Sequence, residues 1–449
     1  MAMDLQEARE ASRLVDYKHG LVDRKIYFDP EIYQLEMEQI FARAWLFMCH
    51  ESQIPNPGDF FLNFMGEDRV IVVRNNDMGV SVLVNSCRHR GNAVCRADEG
   101  HATSFMCTYH GWTYDLKGAL VGVPGFKEVY HEELDREHWG LINAAQVDSY
   151  RGLVFATMDP AAPPLLEYLG DATFCLDLLF ARGDMAAVGG IAKFSLDCNW
   201  KFPSDNTPDH YHGVTHQSAS MAGYPGPGFI RSRSQQGPVR RIGQFTPKDG
   251  YTVLSEYGHG MAANYMPEGW PQIVEKDPLN VWRLDPEVQR RLGPIGTRTG
   301  NSHLNVFPNL FVPSGSRNVA IRMPKGPTKT EIWMWTFVNR DEPKEVQREM
   351  SLRTGRHFGP GGMMEQDDGE NWDQSTRGVR GAISGHYPLN YAMGLNHGDF
   401  IKDEDGPNRI ETHVNEHAQL WTYRAWSDFM HASSWEDLKQ NHAKPEGTV

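Results

Sequence analysis

Short apolar runs separated by turn-forming stretches predict a β-rich region in the first third of the chain. The β-branched runs at residues 69–74 and 80–84 flank the turn signal Asn-Asn-Asp-Met-Gly at 75–79. A further apolar run lies at residues 152–156, and turns and short strand-like segments fill the region between them. We therefore predict a mainly β domain over residues 39–158.

A proline-rich stretch at residues 160–164 predicts the end of that domain. Outside it, helical and strand-like patterns are mixed, and we predict an α+β fold class. Residues 1–38 and 159–449 then form a second domain with an antiparallel sheet and helices. The predicted strands include 187–194 and 331–338, the predicted helices include 29–45, 205–216 and 343–358, and a glycine and proline loop is predicted at 223–228.

Charge and composition narrow the class of protein. The 449 residues include 44 Lys and Arg against 58 Asp and Glu, a formal charge of −14. This charge argues against a nucleic-acid surface and against binding to an anionic membrane. Residues 1–13 lack the apolar core of a signal peptide, and no apolar run reaches membrane-spanning length. With six cysteines in so long a chain, we predict a reduced, cytoplasmic protein.

Two Cys-His pairs predict an iron–sulfur cluster. The spacing is C-x-H, seventeen residues, then C-x-x-H, and a glycine, Gly91 or Gly111, follows each pair. Two cysteines on one iron and two histidines on the other define a Rieske centre, whereas a structural zinc site is the alternative for such ligands. Cys95 and His101 lie between the pairs, and we expect neither to be a ligand. The predicted ligands are Cys87, His89, Cys107 and His110.

A second constellation predicts a mononuclear metal site. On a helix over 205–216, Asp209, His212 and His216 lie close to one face, while His210 is about 120° from His216. Two histidines and one carboxylate form the facial triad of non-haem Fe(II) oxygenases. The carboxylate must come from elsewhere, and the acidic stretch at 365–370 supplies candidates, although such a stretch is usually a solvated charge run.

Together these motifs resemble the α subunit of the Rieske non-haem iron aromatic-ring-hydroxylating dioxygenases, the biphenyl, toluene and naphthalene group. The resemblance extends over nearly the whole chain, with matching motifs at residues 50–59, 87–91, 109–112, 199–201 and 365–368. It implies that the four Cys and His residues hold a [2Fe–2S] cluster.

The resemblance also implies roles around the second metal. His212, His216 and Asp368 would hold Fe(II), with Asp367 as the alternative carboxylate. Asp209 would bridge a cluster histidine of one subunit and an iron histidine of its neighbour, which implies an α3 or α3β3 oligomer. One departure is that only three residues separate the two iron histidines here, where that group usually has four or five.

The resemblance implies a terminal oxygenase component that dihydroxylates an aromatic ring with O₂. Electrons would come from NADH through a separate reductase or ferredoxin, because no nicotinamide-binding fingerprint follows a strand in this chain. A Rieske monooxygenase or demethylase is the first alternative. An electron-transfer iron–sulfur protein is the second, and the long region after the cluster motif argues against it.

The resemblance also implies that the substrate pocket contains Asn206, His210, Phe358 and Met364. The apolar members suit a neutral aromatic ring, so hydrocarbons are favoured over aromatic acids. His210 is the exception. It either faces away from the cavity or donates a hydrogen bond to a polar substituent or carboxylate.

Overall fold

The computed structural model of the chain describes residues 14–212, 215–216, 249–277, 279–403 and 406–442. It divides into two compact units, one comprising Met1–Ile40 with Leu166–Val449 and the other Phe41–Leu165. Strands dominate the smaller unit, and the larger unit combines a sheet with helices. The predicted α+β class is therefore confirmed, while the predicted domain limits at 39–158 stay a prediction.

The smaller unit contains three antiparallel sheets. The predicted strands at 69–74 and 80–84 are confirmed, because Asp68–Arg74 and Val80–Val84 pair side by side. The run at 152–156 is the strand Leu153–Thr157. In spatial order the sheets are Val80–Val84, Asp68–Arg74, Asp59–Met65, Glu99–His101; then Leu120–Gly122, Thr113–Tyr114, Phe105–Met106; then Gln146–Tyr150, Leu153–Thr157, Leu46–His50.

A ten-stranded antiparallel sheet forms the frame of the larger unit within the described residues. Nine strands follow one path, and Ala192–Leu196 pairs separately with Thr330–Asn339. A small sheet of Val15–Asp16, Leu21–Val22 and Leu389–Asn390 lies apart from it. The nine strands in spatial order are Met185–Ala187, Thr330–Asn339, Asn318–Pro324, Leu310–Pro313, Thr299–Val306, Gly260–Tyr265, Gly250–Leu254, Arg409–Ile410 and Phe400–Ile401.

Helices complete the larger unit. The longest described ones are Met363–Gly378, His417–His431, Lys344–His357 and Pro286–Arg298. His417–His431 packs on the sheet, where Trp421 joins a buried apolar cluster and donates from Nε1 to the Ser255 carbonyl at 2.6 Å. No helix in the described part of the chain is long and apolar enough to cross a membrane. The shorter α-helices are Pro30–Glu36, Leu165–Leu169, Ala172–Phe180, Lys201–Asp205, Trp270–Val274 and Trp435–Asn441.

Two predicted elements are confirmed closely. The strand at 331–338 is Thr330–Asn339, and the helix at 343–358 is Lys344–His357. The helix predicted at 29–45 begins as expected, because the Asp29 side chain accepts hydrogen bonds from the first-turn amides. Its end was wrong: an α-helix to Glu36 is followed by a π-helical turn, Met37–Phe41.

Two other predictions were wrong for reasons of backbone chemistry. The strand at 187–194 is split into Met185–Ala187 and Ala192–Leu196, and Gly190, with φ +84°, lies in the break. A helix was predicted at 205–216, but the observed helix is Lys201–Asp205, and the described residues after it form turns. Pro208 lacks an N–H and disfavours helical backbone in the residue before it, which ends the helix. The loop at 223–228 lies outside the described residues.

Candidate functional site

The two Cys-His pairs lie on matching loops of the smaller unit. In each loop the glycine N–H bonds the cysteine carbonyl, Gly91 to Cys87 at 2.8 Å and Gly111 to Cys107 at 2.9 Å. Both glycines have positive φ, +72° and +76°, a conformation that other residues rarely adopt. The short-range spacing of each pair therefore folds into one turn that presents both side chains of the pair together.

The side chains of these loops suit a cluster with two kinds of ligand. Cys87 and Cys107 are 3% and 1% exposed, and the rings of His89 and His110 lie 4.4 Å apart. Burial acts to raise the pKa of the Cys107 thiol, but hydrogen bonds from nearby groups outweigh it and lower the pKa, which favours a thiolate. Nδ1 of His89 is buried with no hydrogen-bond partner, as expected of a nitrogen available to a metal.

The surroundings of Cys95 and His101 differ from those of the four predicted cluster ligands. The Cys95 thiol lies 3.7 Å from the Ala97 carbonyl, and burial raises its pKa. His101 is exposed, and its Nδ1 contacts Asp59 Oδ1 at 3.0 Å.

His212, His216 and Asp368 meet in the larger unit as a candidate metal group. The two Nε2 atoms are 3.2 Å apart, and Asp368 Oδ1 lies 3.6 Å from Nε2 of His212 and 3.5 Å from Nε2 of His216. Donors bound to one ion at about 2.0–2.2 Å lie roughly 3–3.5 Å apart. Two imidazole nitrogens and one carboxylate oxygen at this spacing fit the donor set of a ferrous ion.

Carboxylates also face the outer nitrogens of both histidines. Asp209 Oδ1 lies 3.2 Å from Nδ1 of His212, and Asp367 Oδ2 lies 3.6 Å from Nδ1 of His216. Such carboxylates orient metal-bound imidazoles and select their tautomers. Burial lowers the pKa of His212, but Asp209 and Asp368 outweigh it and raise the pKa to about 9.

The two histidines are brought together by turns, not by the helical face predicted for them. The Thr215 N–H donates to the His212 carbonyl at 2.8 Å, which brings His216 next to His212. The acidic stretch at 365–370 is not a solvated charge run throughout. It lies in the helix Met363–Gly378, and burial raises the pKa of Asp368 to about 7.

A buried ion pair anchors the segment that leads to this site. Lys201 Nζ lies 2.5 Å from Glu36 Oε1, and the two side chains are 3% and 0% exposed. Trp200 and Trp426 donate their indole N–H groups to the same carboxylate at 2.8 and 2.7 Å. Every oxygen of Glu36 is therefore satisfied. Asp205, which ends the short helix, accepts hydrogen bonds from Tyr391 and Tyr423.

Asp209 faces a cavity of about 310 Å³. Glu416 also lines this cavity and accepts a hydrogen bond from Tyr211 at 3.1 Å. Asn206, a predicted pocket residue, lies here as well. Asp209 contacts His212. Because its side chain is 19% exposed, it is also accessible from the cavity.

The other predicted pocket residues lie near the sheet or on the helix that contains Asp368. His210 Nδ1 lies 2.8 Å from Asn264 Oδ1, and its ring meets that of His303 at 4.4 Å. The Phe358 ring is 6.0 Å from His303, and Met364 lies in the first turn of Met363–Gly378. Sequence patterns did not single out Asn264 or His303, since both are distant in sequence from His210 and only folding of the sheet brings them next to it.

Models of known protein families match both units of the chain. The family model for the Rieske [2Fe-2S] domain matches residues 44–141, and that for the ring hydroxylating alpha subunit (catalytic domain) matches 183–424. The chain is 37% identical over 446 residues to the biphenyl dioxygenase alpha subunit of Paraburkholderia xenovorans, covering 95% of this chain and 94% of the relative.

Further relatives agree with this match. The benzene 1,2-dioxygenase alpha subunit of Pseudomonas putida is 35% identical over 444 residues, covering 96% of this chain and 95% of the relative. A solved structure of naphthalene 1,2-dioxygenase with indole bound in the active site aligns with a TM-score of 0.85 and 31% identity. That alignment covers 95% of this chain and 96% of the other.

Proposed function

We propose, since this chain belongs to the Rieske-type ring-hydroxylating α-subunit family, that it is a terminal oxygenase which adds both atoms of O₂ to an aromatic ring. As a member of this dioxygenase family it is an oxidoreductase with a Rieske [2Fe–2S] cluster and a mononuclear iron. When bound, the cluster stores single electrons and the mononuclear iron activates O₂.

The ligand assignment is part of this proposal. Cys87, His89, Cys107 and His110 hold the cluster. His212, His216 and Asp368 hold the mononuclear iron. The observation that carries the proposal is the triangle of 3.2, 3.5 and 3.6 Å between the ligand atoms of that second group. Asp368 is preferred to Asp367 because its oxygen faces both Nε2 atoms, whereas Asp367 faces an outer nitrogen.

Asp209 and Asp367 act on the site through the histidines that they contact. Each carboxylate lies beside an Nδ1 atom, where it favours the tautomer whose Nε2 is free to bind a metal. Asp209 is also accessible from the adjacent cavity. We assign it the bridge to a cluster histidine of a neighbouring subunit, which gives an α3 or α3β3 oligomer.

The partners follow from the same family assignment. Substrates are aromatic, since the named relatives act on biphenyl, benzene and naphthalene. Electrons come from NADH through a separate reductase or ferredoxin. The rings of Phe358 and Phe311 lie 5.7 Å apart and both contact the ring of His303, which supports an aromatic substrate on this wall.

The test is product analysis with labelled oxygen. The iron-loaded protein, a surrogate reductase and NADH are supplied with a panel of aromatic compounds under ¹⁸O₂. We expect a cis-dihydrodiol that carries two labelled atoms from one O₂ molecule. A phenol with a single labelled atom, or a demethylated product, would instead identify a monooxygenase or demethylase.

Iron content separates the remaining alternative. An oxygenase holds about three iron atoms per chain, whereas an electron-transfer protein with the cluster alone holds about two. His212→Ala should lower the iron content by about one atom per chain and end product formation. If wild type already contains two, or if His212→Ala loses none, the proposed mononuclear site is wrong.

A further inference from the structure

Asn92 connects the two Cys-His loops of the smaller unit. It directly follows Gly91 in the first loop, where its carbonyl accepts the N–H of Cys87 at 2.9 Å. Its side chain extends to the second loop, where Nδ2 lies 3.6 Å from Sγ of Cys107 and 3.5 Å from Oγ1 of Thr108. A residue of one loop therefore contacts the sulfur of the proposed cluster ligand in the other.

The neighbours of Asn92 determine which end of its amide faces that sulfur. Nη2 of Arg96 lies 3.3 Å from Oδ1, and a guanidinium group only donates. Nδ2 lies 3.1 Å from the carbonyl of Ala93, which only accepts. Both contacts require the same orientation of the amide, so Asn92 directs an N–H donor, and not the carbonyl oxygen, at the sulfur of Cys107.

The sulfur of Cys107 lies in a place where this donor matters. A cysteine sulfur is a weak acceptor of hydrogen bonds, and a charged sulfur is a stronger one. Cys107 is 1% exposed, so water does not readily replace the amide as a donor. On the other loop, the hydroxyl of Tyr114 lies 3.3 Å from the sulfur of Cys87. Each proposed cysteine ligand thus has a polar side chain beside its sulfur.

A donor in this position changes the balance between the two redox states of a bound cluster. Reduction adds one negative charge, which is partly carried by the sulfur ligands. An N–H group near such a sulfur stabilises the reduced state more than the oxidised state, so the reduction potential rises. The size of the effect depends on hydrogen bonding to the sulfur and on its exposure to solvent.

We infer that Asn92 raises the reduction potential of the Rieske cluster through an N–H···S hydrogen bond to Cys107. Asn92 is a positioning residue that acts through this ligand. One electron enters the cluster and one leaves it, and no bond or proton changes at Asn92. The residue therefore sets the driving force for reduction of the cluster by its electron donor and for its oxidation by the mononuclear iron. This inference rests on the proposed function, in which Cys107 is a cluster ligand.

The test is a redox titration of the purified holoprotein and of Asn92→Leu, which has a similar shape but no donor. The cluster is followed by its visible spectrum and by EPR at each potential. We expect the variant cluster to be about fivefold harder to reduce, the usual effect of one hydrogen bond, which is about 40 mV at 59 mV per factor of ten. Iron content and EPR g values should match wild type. An unchanged or higher potential would overturn the inference.

Thr108→Val is the matched control. It removes the oxygen that shares a hydrogen of the Asn92 amide with the sulfur, and it leaves the amide and the sulfur in place. The potential of this variant should not fall, because the amide then donates to Cys107 alone. A fall as large as that in Asn92→Leu would also reject the inference, since any change beside the sulfur would then have the same effect.

A measurement on wild type decides the case if the variants lose their clusters. The protein is prepared with ¹⁵N in the side-chain amides of asparagine, the cluster is reduced, and pulse EPR is recorded. A nitrogen 3.6 Å from a ligand sulfur should give a weak ¹⁵N coupling in addition to the couplings of the two imidazole ligands. Absence of this coupling would show that the amide does not bond the sulfur.

The same samples distinguish this inference from the proposed function. If the potential falls in Asn92→Leu but wild type oxidises no aromatic compound, the proposed oxygenase function fails and the inference stands. If wild type dihydroxylates an aromatic ring and Asn92→Leu keeps the wild-type potential, the function stands and the inference fails. Retention of the cluster in Cys107→Ser would reject both the ligand assignment and the inference.

Discussion

Lys201→Met should destabilise the larger unit by about 3–5 kcal/mol, the usual effect of removing one partner of a buried ion pair. Lys201 and Glu36 are 3% and 0% exposed and lie 2.5 Å apart. Methionine fills a similar volume, so the loss comes from the charge. The Glu36 carboxylate would keep its bonds from Trp200 and Trp426 but would have no cation to offset its desolvation.

Lys117→Met is the matched control. Lys117 Nζ lies 2.6 Å from Asp77 Oδ2, almost the same distance, but the two side chains are 59% and 58% exposed. Exposed pairs of this kind contribute little because water and salt screen them, so this variant should unfold like wild type. The two lysine-to-methionine changes thus compare a buried ion pair of the larger unit with an exposed ion pair of the smaller unit.

Urea unfolding followed by tryptophan fluorescence measures the effect, since Trp200 and Trp426 contact the ion pair. With a urea dependence of about 3 kcal/mol per M, the midpoint for Lys201→Met should fall by about 1–2 M. The double variant Glu36→Gln, Lys201→Met should recover a large part of the loss, because no unpaired charge remains. If Lys201→Met and Lys117→Met shift the midpoint equally, burial of the pair does not have the stabilising role assigned to it.

Five further substitutions test the metal sites and their surroundings. Cys107→Ser should abolish the visible colour and the reduced-state EPR signal of the cluster; retention of both contradicts the ligand assignment. Asp368→Ala should lose about one iron per chain and end turnover, while the cluster spectrum stays intact. Asp367→Ala should keep that iron. The reverse pattern would identify Asp367 as the ligand. Asp209→Asn should keep both metal centres yet slow cluster reoxidation in a single turnover about 10–100-fold. If the variant reoxidises its cluster at the wild-type rate, Asp209 does not have the proposed bridging role. Burial raises the pKa of Asp205 from 3.8 to about 7, so the contribution of protonated Asp205 to the free energy of unfolding is present at low pH and is lost as the pH rises through about 7. In urea unfolding, Asp205→Asn should not show this loss. If wild type and Asp205→Asn have parallel profiles of stability against pH, the reasoning is refuted.

Sequence patterns identified strands better than helices. The runs at 69–74 and 80–84 are β-branched and bounded by turn residues, so local propensity and tertiary structure agree there. The helix Met363–Gly378 was missed because its many acidic residues resemble a solvated run, although Asp368 and Trp372 are buried on one side. The spacing of Asp209, His212 and His216 favours a helix at 205–216, but Pro208 is incompatible with a continuous helix there.

The candidate site was predictable where its proposed ligands are close in sequence. Each Cys-His pair lies within one turn, so spacing alone identified it. Asp368 is more than 150 residues from His212 in sequence, and it was assigned by resemblance. The contacts among His210, Asn264 and His413 join three distant segments, and only the folded sheet brings them together.

The three carboxylates around His212 and His216, the proposed iron ligands, affect how this protein must be prepared. Asp209, Asp367 and Asp368 lie within 3.6 Å of imidazole nitrogens, and together these oxygen and nitrogen donors suit divalent cations in general. Sites of nitrogen and oxygen ligands bind nickel, copper and zinc more tightly than ferrous iron. Loading with iron therefore depends on which metal is supplied. Nickel resins and traces of zinc will compete for the site, and metal analysis has to accompany every activity measurement.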